Sequence, residues 1–271
     1  MPPYPNLVSE SLLVNITIDF LISVGGSASA VNVVDYVMKI NNPEPNLARL
    51  LISDLIDRDP RLELHEDRVA LIGANHEKID LNETGFVVFD LETTGTRAPP
   101  CRITEIGAYR VRNGKVAEEF HTLVNPEMPI PPFIRSLTGI DDDMVRDAPK
   151  FRDIASEFLN FIDDSVLIAH NARFDMGFLN HEIGRVFEDY RVWNPSLCTV
   201  QLSRRLLPHI ENHRLNTVAN YFSIELLNHH RASDDARATA HIFVNLLKDL
   251  QTLGIHDFGS ARRFSFKKKL C

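Results

Sequence analysis

Four carboxylates and one histidine, grouped in three short blocks, restrict how this chain can fold. Asp90 and Glu92 end an apolar run, Asp175 follows a second one, and His230 and Asp235 flank the expected start of a long helix. If the blocks act together, the fold must bring residues about 145 positions apart into one place. Four carboxylates and an imidazole are suited to holding two divalent cations and activating water, so the pattern indicates phosphodiester hydrolysis.

The first block lies at the end of a strand predicted over Phe86–Glu92. Residues two apart on a strand face the same side, roughly 6–7 Å apart along the backbone, so Asp90 and Glu92 can serve one metal pair. An Asp-x-Glu pattern alone is typical of a solvated strand end. The tight turn predicted at Thr93-Thr94-Gly95 favours a site, because its backbone N–H groups can approach a substrate.

The second block places Asp175 in the first turn of a helix predicted over 173–188, directly after a buried strand over 166–169. A carboxylate at that position also complements the helix dipole, which is the ordinary structural explanation for it. The preceding His170 is expected to bond backbone and hold the turn rather than bind a metal.

The third block combines a carboxylate on a helix with a histidine in the loop before it. Ser233 is expected to cap the last long helix, which places Asp235 in its first turn. A histidine with a pKa near ~6.5 accepts a proton from water at neutral pH, so His230 is the candidate general base. The neighbouring His229 and Asp234 are interpreted as bystanders.

The net charge of −8 is concentrated away from these blocks. Residues 1–83 carry −7 and residues 84–271 carry −1, so cations bound at the motif would make the second region mildly positive. Three cysteines without a pairing pattern indicate a reducing compartment, and the start of the chain lacks the basic residues of a signal peptide. Polar residues and glycines interrupt the apolar run over 12–34. We therefore expect a cytoplasmic protein without a membrane span.

Residues 1–83 predict a small, mostly helical domain that resembles a winged helix, followed by a linker over 73–83. Ser9 is expected to cap a first helix, a second helix is expected over 31–40, and Asn46 is expected to cap a third. The third helix has a mostly apolar stripe at Leu47, Leu50, Leu51, Asp54 and Leu55. A hairpin around Glu66-Asp67 completes the domain. A DNA-reading role is disfavoured, because Arg49 and Arg58 of the third helix are outnumbered by aspartates. A structural or protein-docking role is the preferred interpretation.

Residues 84–252 resemble the DEDDh family of 3′–5′ exonucleases, and within it are similar to the proofreading epsilon subunit of bacterial DNA polymerase III. The motifs in common are Phe89-Asp-Leu-Glu-Thr-Thr-Gly95, Arg102-Ile-Thr-Glu-Ile-Gly-Ala108, Leu137-Thr-Gly-Ile140, Leu167-Ile-Ala-His-Asn-Ala-Arg-Phe-Asp175 and His230–Thr239. A basic C-terminal tail over 253–271 follows. Some bacterial exonucleases of this family carry a region resembling residues 1–83 and continue into a GIY-YIG endonuclease domain.

The resemblance implies a ribonuclease H-like fold, an α/β arrangement with a mixed five-stranded sheet flanked by helices. It also implies two cations, Mg²⁺ or Mn²⁺, with Asp90, Glu92 and Asp235 at the first, Asp90 bridging to the second and Asp175 near it. His230 would be the general base. The terminal nucleotide would be contacted by Leu91, Thr93, Thr94, Asn171 and Phe174.

Two residues depart from the family pattern. Ser233 stands where the family usually has an aliphatic residue, which affects packing rather than metal binding. Thr138 stands where the epsilon subunit tends to have a histidine, so substrate contacts there are open.

These observations predict a 3′–5′ exonuclease that releases nucleoside monophosphates from single-stranded or frayed DNA 3′ ends, in repair or replication proofreading. An exoribonuclease of the ribonuclease T or oligoribonuclease type is the alternative, and a non-catalytic adaptor is disfavoured by the presence of all five residues. Protein partners would bind through residues 1–83 or the basic tail. Deleting residues 1–83 is expected to leave hydrolysis of short oligonucleotides largely intact.

Overall fold

The computed structural model describes residues 2–57, 59–72 and 78–266. It divides into two compact units, one of Met1–Ala74 with Ile183–Trp193 and one of Asn75–Glu182 with Asn194–Cys271. Within the described ranges, no helix is both long and apolar enough to cross a membrane. Arg58, part of the predicted linker (73–77) and Lys267–Lys269 of the predicted tail lie outside the described residues.

The first unit combines three helices with two small antiparallel sheets. Its three-stranded sheet has the order β2-β4-β3, and β1 pairs with β9 in the other. The elements are β1 (Leu7–Ser9), α1 (Leu12–Ser23), β2 (Ser27–Ser29), α2 (Ala30–Met38), α3 (Pro45–Ile56), β3 (Leu62–His65), β4 (Arg68–Leu71) and β9 (Tyr190–Val192). The three helices and the hairpin follow the expected order, and the winged-helix interpretation stays a prediction.

Two capping expectations for this unit are wrong, and the expected apolar stripe of α3 is right only at Leu51 and Leu55. Ser9 lies in β1 and accepts from the backbone N–H of Ser11, and α1 begins three residues later without a side-chain cap. Glu44, not Asn46, caps α3 by accepting from the N–H of Leu47. The buried face of α3 is the i, i+4, i+7 set Ala48, Ile52 and Leu55, while Leu47 and Leu50 are 44% and 67% exposed.

The second unit is built on a mixed five-stranded sheet flanked by helices, as expected. The strand order is β10-β8-β5-β6-β7, with β10, β8 and β5 parallel and β6 and β7 antiparallel to their neighbours. The strands are β5 (Phe86–Thr93), β6 (Ile103–Arg112), β7 (Lys115–Leu123), β8 (Val166–Ala169) and β10 (Ser196–Cys198). Asn113 and Gly114, both with positive φ, form the predicted turn between β6 and β7.

Helices cover the two faces of this sheet and fix which way each residue of β5 points. They are α4 (Pro132–Thr138), α5 (Asp142–Val145), α6 (Phe151–Ile162), α7 (Ala172–Val186), α8 (Thr199–Leu206), α9 (Leu215–Tyr221), α10 (Ala232–Thr252) and α11 (Phe258–Phe266). Phe86 packs edge-on against Phe243 of α10, and Phe89 contacts Phe158 of α6. Each such buried phenyl ring contributes about 1.5–3 kcal/mol to the free energy of unfolding. By alternation, Asp90 and Glu92 share the face of Phe86 and point toward α10.

The second unit includes, at both of its ends, residues that the sequence predicts to be linker or tail. Leu81 is buried in the unit's core. The backbone of Asp80 forms an isolated antiparallel β-bridge with that of Asp257. Phe258 and Ala261 of α11 are buried in the same core. The domain boundaries at residues 83 and 252 stay a prediction.

Candidate metal and active site

Three carboxylates converge where β5 ends and α10 begins. Oxygen atoms of Asp90, Glu92 and Asp235 lie within 4.8 Å of one another. The first two come from alternate positions at the end of β5, and the third lies in the first turn of α10, which packs on β5 and β6. This separation is short enough for one cation to contact all three.

Asp175 reaches the same cavity from the first turn of α7. Its side chain is 2% exposed and accepts a hydrogen bond from the backbone N–H of Leu91. It lines the cavity together with Asp90, Glu92, Asp235 and His230. The fold therefore brings together all five residues singled out in the sequence.

Burial and mutual repulsion make these acids hard to ionise. Burial, followed by Asp175 and Glu92, raises the pKa of Asp90 well above its ordinary value. Burial and then the charge of Asp235 raise the pKa of Glu92 to about 8, and burial raises the pKa of Asp175 to about 8. Burial also raises the pKa of Asp235. A positive charge in the cavity would reverse these shifts.

His229 is not the bystander that the sequence suggested. Its Nδ1 lies 3.1 Å from Oδ2 of Asp235, and its ring stacks on that of His230 with centroids 3.9 Å apart. His230 has a positive φ of 68° and donates its backbone N–H to the same carboxylate. This conformation is what turns the two adjacent rings to one side, and sequence spacing carries no signal for it. Burial and then His229 lower the pKa of His230, which keeps it neutral near pH 7.

Glu105 fixes the loop that carries these histidines. It is fully buried in β6 and accepts from the side chain of Arg231, the backbone N–H of Ala232 and the ring of His121. Burial raises the pKa of Glu105, but these hydrogen bonds together lower it below its ordinary value. A Cβ at Gly107 would lie 2.3 Å from backbone atoms of Ala232, so only glycine lets α10 begin this close to β6.

Ser233 does not cap α10 as expected. The helix begins at Ala232, and the cap position, Arg231, makes no side-chain hydrogen bond to the helix. Ser233 Oγ instead donates to Glu119 at 2.7 Å and lies 3.0 Å from the hydroxyl of Tyr109. The reason is the close approach of α10 to the sheet, which brings the first turn within reach of β6 and β7.

The residues predicted to contact the terminal nucleotide fall into two groups. Leu91, Thr93 and Phe174 line the acidic cavity. Thr94 is 2% exposed and accepts from the backbone N–H of Arg102, so its side chain supports the turn. Asn171 lines a neighbouring cavity.

Two further wall residues come from α4 and α7's preceding loop. Phe133 of α4 lines the acidic cavity and is 73% exposed, although no sequence pattern singles it out. His170 bonds the hydroxyl of Thr199 and the carbonyl of His213, which confirms that it bonds backbone. Burial lowers its pKa to about 4.

The RNase T family model, described as "Exonuclease", matches residues 87–243. The PolC-type DNA polymerase III of Bacillus subtilis is 45% identical over 179 residues, covering 65% of this chain and 12% of that protein. A putative bifunctional exonuclease/endonuclease protein of Mycobacterium tuberculosis is 44% identical over 197 residues, covering 69% and 30%. The chain thus spans about an eighth of the PolC-type relatives.

Solved structures agree with this fold. Exonuclease X in complex with 5′-overhanging duplex DNA is 27% identical, with a TM-score of 0.53, and covers 66% of this chain and 99% of its own. Exonuclease I of E. coli in complex with a dT13 oligonucleotide has a TM-score of 0.55 at 18% identity, covering 63% and 42%. At that identity the likeness shows the fold alone.

Proposed function

The chain belongs to the RNase T family of 3′–5′ exonucleases, and on that premise we propose that it removes nucleoside monophosphates from DNA 3′ ends with two divalent cations, Mg²⁺ or Mn²⁺. The observation that carries the proposal is the convergence of Asp90, Glu92 and Asp235 within 4.8 Å beside His230.

The donor set fits hard divalent cations. All the acidic ligands offer oxygen, which Mg²⁺ and Mn²⁺ prefer, and no described residue of the cavity wall is a cysteine. Asp90, Glu92 and Asp235 would hold one ion, with Asp90 shared and Asp175 near the other. Two such ions, when bound, neutralise the phosphodiester and make the attacking water more acidic. The raised pKa values of Glu92 and Asp175 support this assignment, because burial, and for Glu92 also the charge of Asp235, disfavours the ionised carboxylates that a bound cation would favour.

His230 is proposed as the general base. It lines the cavity, it is kept neutral by burial and by His229, and a neutral imidazole can take the proton of the attacking water. The water oxygen then bonds to phosphorus while the bond to the 3′ oxygen of the adjoining nucleotide on the 5′ side breaks, and that oxygen leaves as a hydroxyl after taking a proton from solvent. His229 and the N–H of His230 both bond Asp235, so this carboxylate would orient the loop as well as hold an ion.

The terminal nucleotide is proposed to rest against apolar and hydroxyl side chains. Leu91 and Phe174 offer carbon surface on the cavity wall, and Thr93 offers a hydroxyl that donates to the carbonyl of Gly95. Thr94 would act through the turn it supports. Thr138, which replaces the histidine of the epsilon subunit, also lines the cavity.

DNA is proposed as the substrate because exonuclease X, at 27% identity, is seen in complex with 5′-overhanging duplex DNA and the matched relatives include DNA polymerases. A role in repair or proofreading and a cytoplasmic location belong to the same proposal. Protein partners, through residues 1–83 or the basic C-terminal residues, are part of it as well.

The test is digestion of 5′-labelled DNA and RNA oligonucleotides of one sequence, with Mg²⁺, Mn²⁺ or EDTA. Single-nucleotide shortening from the 3′ end that requires the metal and disappears in Asp90→Asn is expected. Asp234→Asn is the matched control, because Asp234 lies one residue from Asp235 and bonds Asn228 instead of entering the cavity. Binding of either oligonucleotide without shortening would favour an adaptor, and faster loss of RNA would favour the exoribonuclease alternative.

A proofreading setting makes a further demand on the same assay. A mismatched, frayed 3′ terminus should be shortened faster than a paired one, because the terminal nucleotide must enter the acidic cavity unpaired. Equal rates on the two termini would remove the reason for placing the chain in proofreading.

A further inference from the structure

A second cavity adjoins the acidic one. It measures about 450 Å³ against about 240 Å³ for the acidic cavity, and Thr96 and Phe174 line both. Its walls come from the loop after β5 and from the start of α7: Thr96, Arg97, Ala98, Asn171, Arg173, Phe174, Gly177 and Phe178. The two cavities therefore form a continuous surface within the second unit.

The two cavities have opposite charge. The acidic cavity is lined by four carboxylates, whereas the second is lined by Arg97 and Arg173 and by no acid among its described wall residues. Both guanidinium groups are exposed. In the part of the chain that the structure describes, neither forms an ion pair, whereas Arg102, Arg110 and Arg231 of the same unit pair with Glu182, Glu118 and Glu105, respectively.

The position of Arg173 on its helix is electrostatically unfavourable when no ligand is bound. It lies in the first turn of α7, a helix of 15 residues, where the positive end of the helix dipole opposes a cation. A bound anion would reverse this effect, since the guanidinium and the dipole would then act in the same direction.

The chemistry of a 3′ exonuclease requires a cationic path next to its acidic cavity. One nucleotide lies on the 3′ side of the bond that is cut, and the rest of the strand has to leave the cavity on the other side. Its phosphates are repelled by the carboxylates and are neutralised by basic side chains in nucleic-acid-binding proteins.

We propose that the second cavity binds the strand on the 5′ side of the scissile phosphate, with Arg97 and Arg173 contacting its phosphates and Asn171 on the cavity wall. The inference rests on the proposed exonuclease function and adds to it a subsite for single-stranded polynucleotide. Arg97 and Arg173 are substrate-binding residues here and take no part in the chemical step.

The experiment compares two substrates on the full chain. One is a single-stranded DNA 10-mer. The other is the p-nitrophenyl ester of thymidine 5′-monophosphate, which contains the scissile phosphate but no upstream phosphate. The variant is Arg97→Ala/Arg173→Ala, and the matched control is Arg112→Ala/Lys115→Ala, which removes the same charge from the tip of the β6–β7 hairpin.

For the arginine variant we expect KM on the 10-mer to rise about tenfold. This factor corresponds to about 1.5 kcal/mol of binding free energy, lost with the charged hydrogen bonds from the two arginines to phosphates. The salt dependence of log(kcat/KM) should become shallower by about 1.4, since each phosphate contact on a single strand contributes roughly 0.7. Hydrolysis of the nitrophenyl ester should stay within about twofold of the intact chain, and Arg97→Lys/Arg173→Lys should keep the salt slope.

Two results would overturn the subsite. One is an arginine variant that behaves as the hairpin control on the 10-mer. The other is an equal loss on both substrates, which would assign the arginines to the folding of the acidic cavity. If the intact chain hydrolyses neither substrate with Mg²⁺ or Mn²⁺, the proposed function itself has failed, and this outcome is separate from the other two.

Discussion

One aspartate in each compact unit has little contact with solvent, and the two are surrounded in opposite ways: Asp59 is buried and Asp90 is half-buried. Asp59 in the first unit accepts from Arg61 and from the backbone N–H groups of Ser9 and Arg61, at 2.6 to 3.1 Å. Asp90 in the second unit faces Asp175, Glu92 and Asp235. The first acid is neutralised within the fold and needs nothing further. The second is surrounded by acids, and on the proposed function a bound cation would neutralise them.

Asparagine at each position gives the strongest test of this comparison. Asp90→Asn should lower kcat on a DNA oligonucleotide by about a thousandfold or more, since metal ligation depends on that charge. It should also raise the melting temperature of the metal-free protein at pH 8, because a repelling carboxylate is removed. Asp59→Asn should leave kcat within about twofold but destabilise the first unit by about 3 kcal/mol, because Arg61 loses its buried partner.

Differential scanning fluorimetry and initial rates measure both effects on the same preparations. The comparison breaks if both variants lower the melting temperature of the metal-free protein equally. It also breaks if Asp59→Asn abolishes hydrolysis while the protein remains folded.

The two stacked histidines offer the next largest effect. His230→Gln should reduce kcat by about 10²–10³, the usual contribution of a general base. His229→Gln keeps a hydrogen-bonding group near Asp235 and should lower kcat by about tenfold. A loss of this size is usual when a residue that hydrogen-bonds a metal ligand is replaced. The pH–rate profile separates the roles, because loss of the base removes the acidic limb while loss of His229 only displaces it. A larger loss for His229→Gln would exchange the two assignments.

Regular patterns made individual strands and the pairing of Asp90 with Glu92 predictable from sequence, whereas the five-stranded sheet and the shared roles of the three blocks were implied by the family resemblance. Period-two alternation sets the common face of Asp90 and Glu92, and the Asn113-Gly114 turn sets the register of β6 and β7. Both signals are local, so they need no knowledge of the rest of the fold.

The elements that sequence reasoning missed depend on distant contacts. Strand β10 has only three residues and exists because it pairs in parallel with β8. The bonds of Ser233 to β6 and β7, and of Glu105 to Arg231, join residues more than 110 positions apart. The role of His229 depends on the positive φ of His230, which residue types alone do not reveal.

The crowded acids also predict how stability depends on pH. Asp175 has a pKa of about 8 in the folded protein, against roughly 3.9 in an unfolded chain. A raised carboxyl pKa means that the folded state holds the proton more tightly, so stability is lost as pH rises from about 5 through 8. The slope reaches up to about 1.4 kcal/mol per pH unit for each such group.

Unfolding of the metal-free protein by urea at pH 5, 6.5 and 8 measures this loss, with Asp175→Asn as the control that should flatten the dependence. Saturating Mg²⁺ should flatten it as well, since a bound cation favours the ionised carboxylates. A metal-free protein that becomes more stable from pH 5 to pH 8 would contradict the assignment of these acids as a strained cluster.

The smallest expected effect concerns Ser233, where a polar side chain replaces the aliphatic residue usual in the family. Ser233→Ala removes its hydrogen bonds to Glu119 and Tyr109, which should cost about 1 kcal/mol of stability in urea unfolding. Because neither partner lines the acidic cavity, kcat should stay within about twofold. A loss of tenfold or more in kcat would show that the first turn of α10 is held in place by this contact as well as by Glu105, and the polar replacement would then belong to the positioning of Asp235.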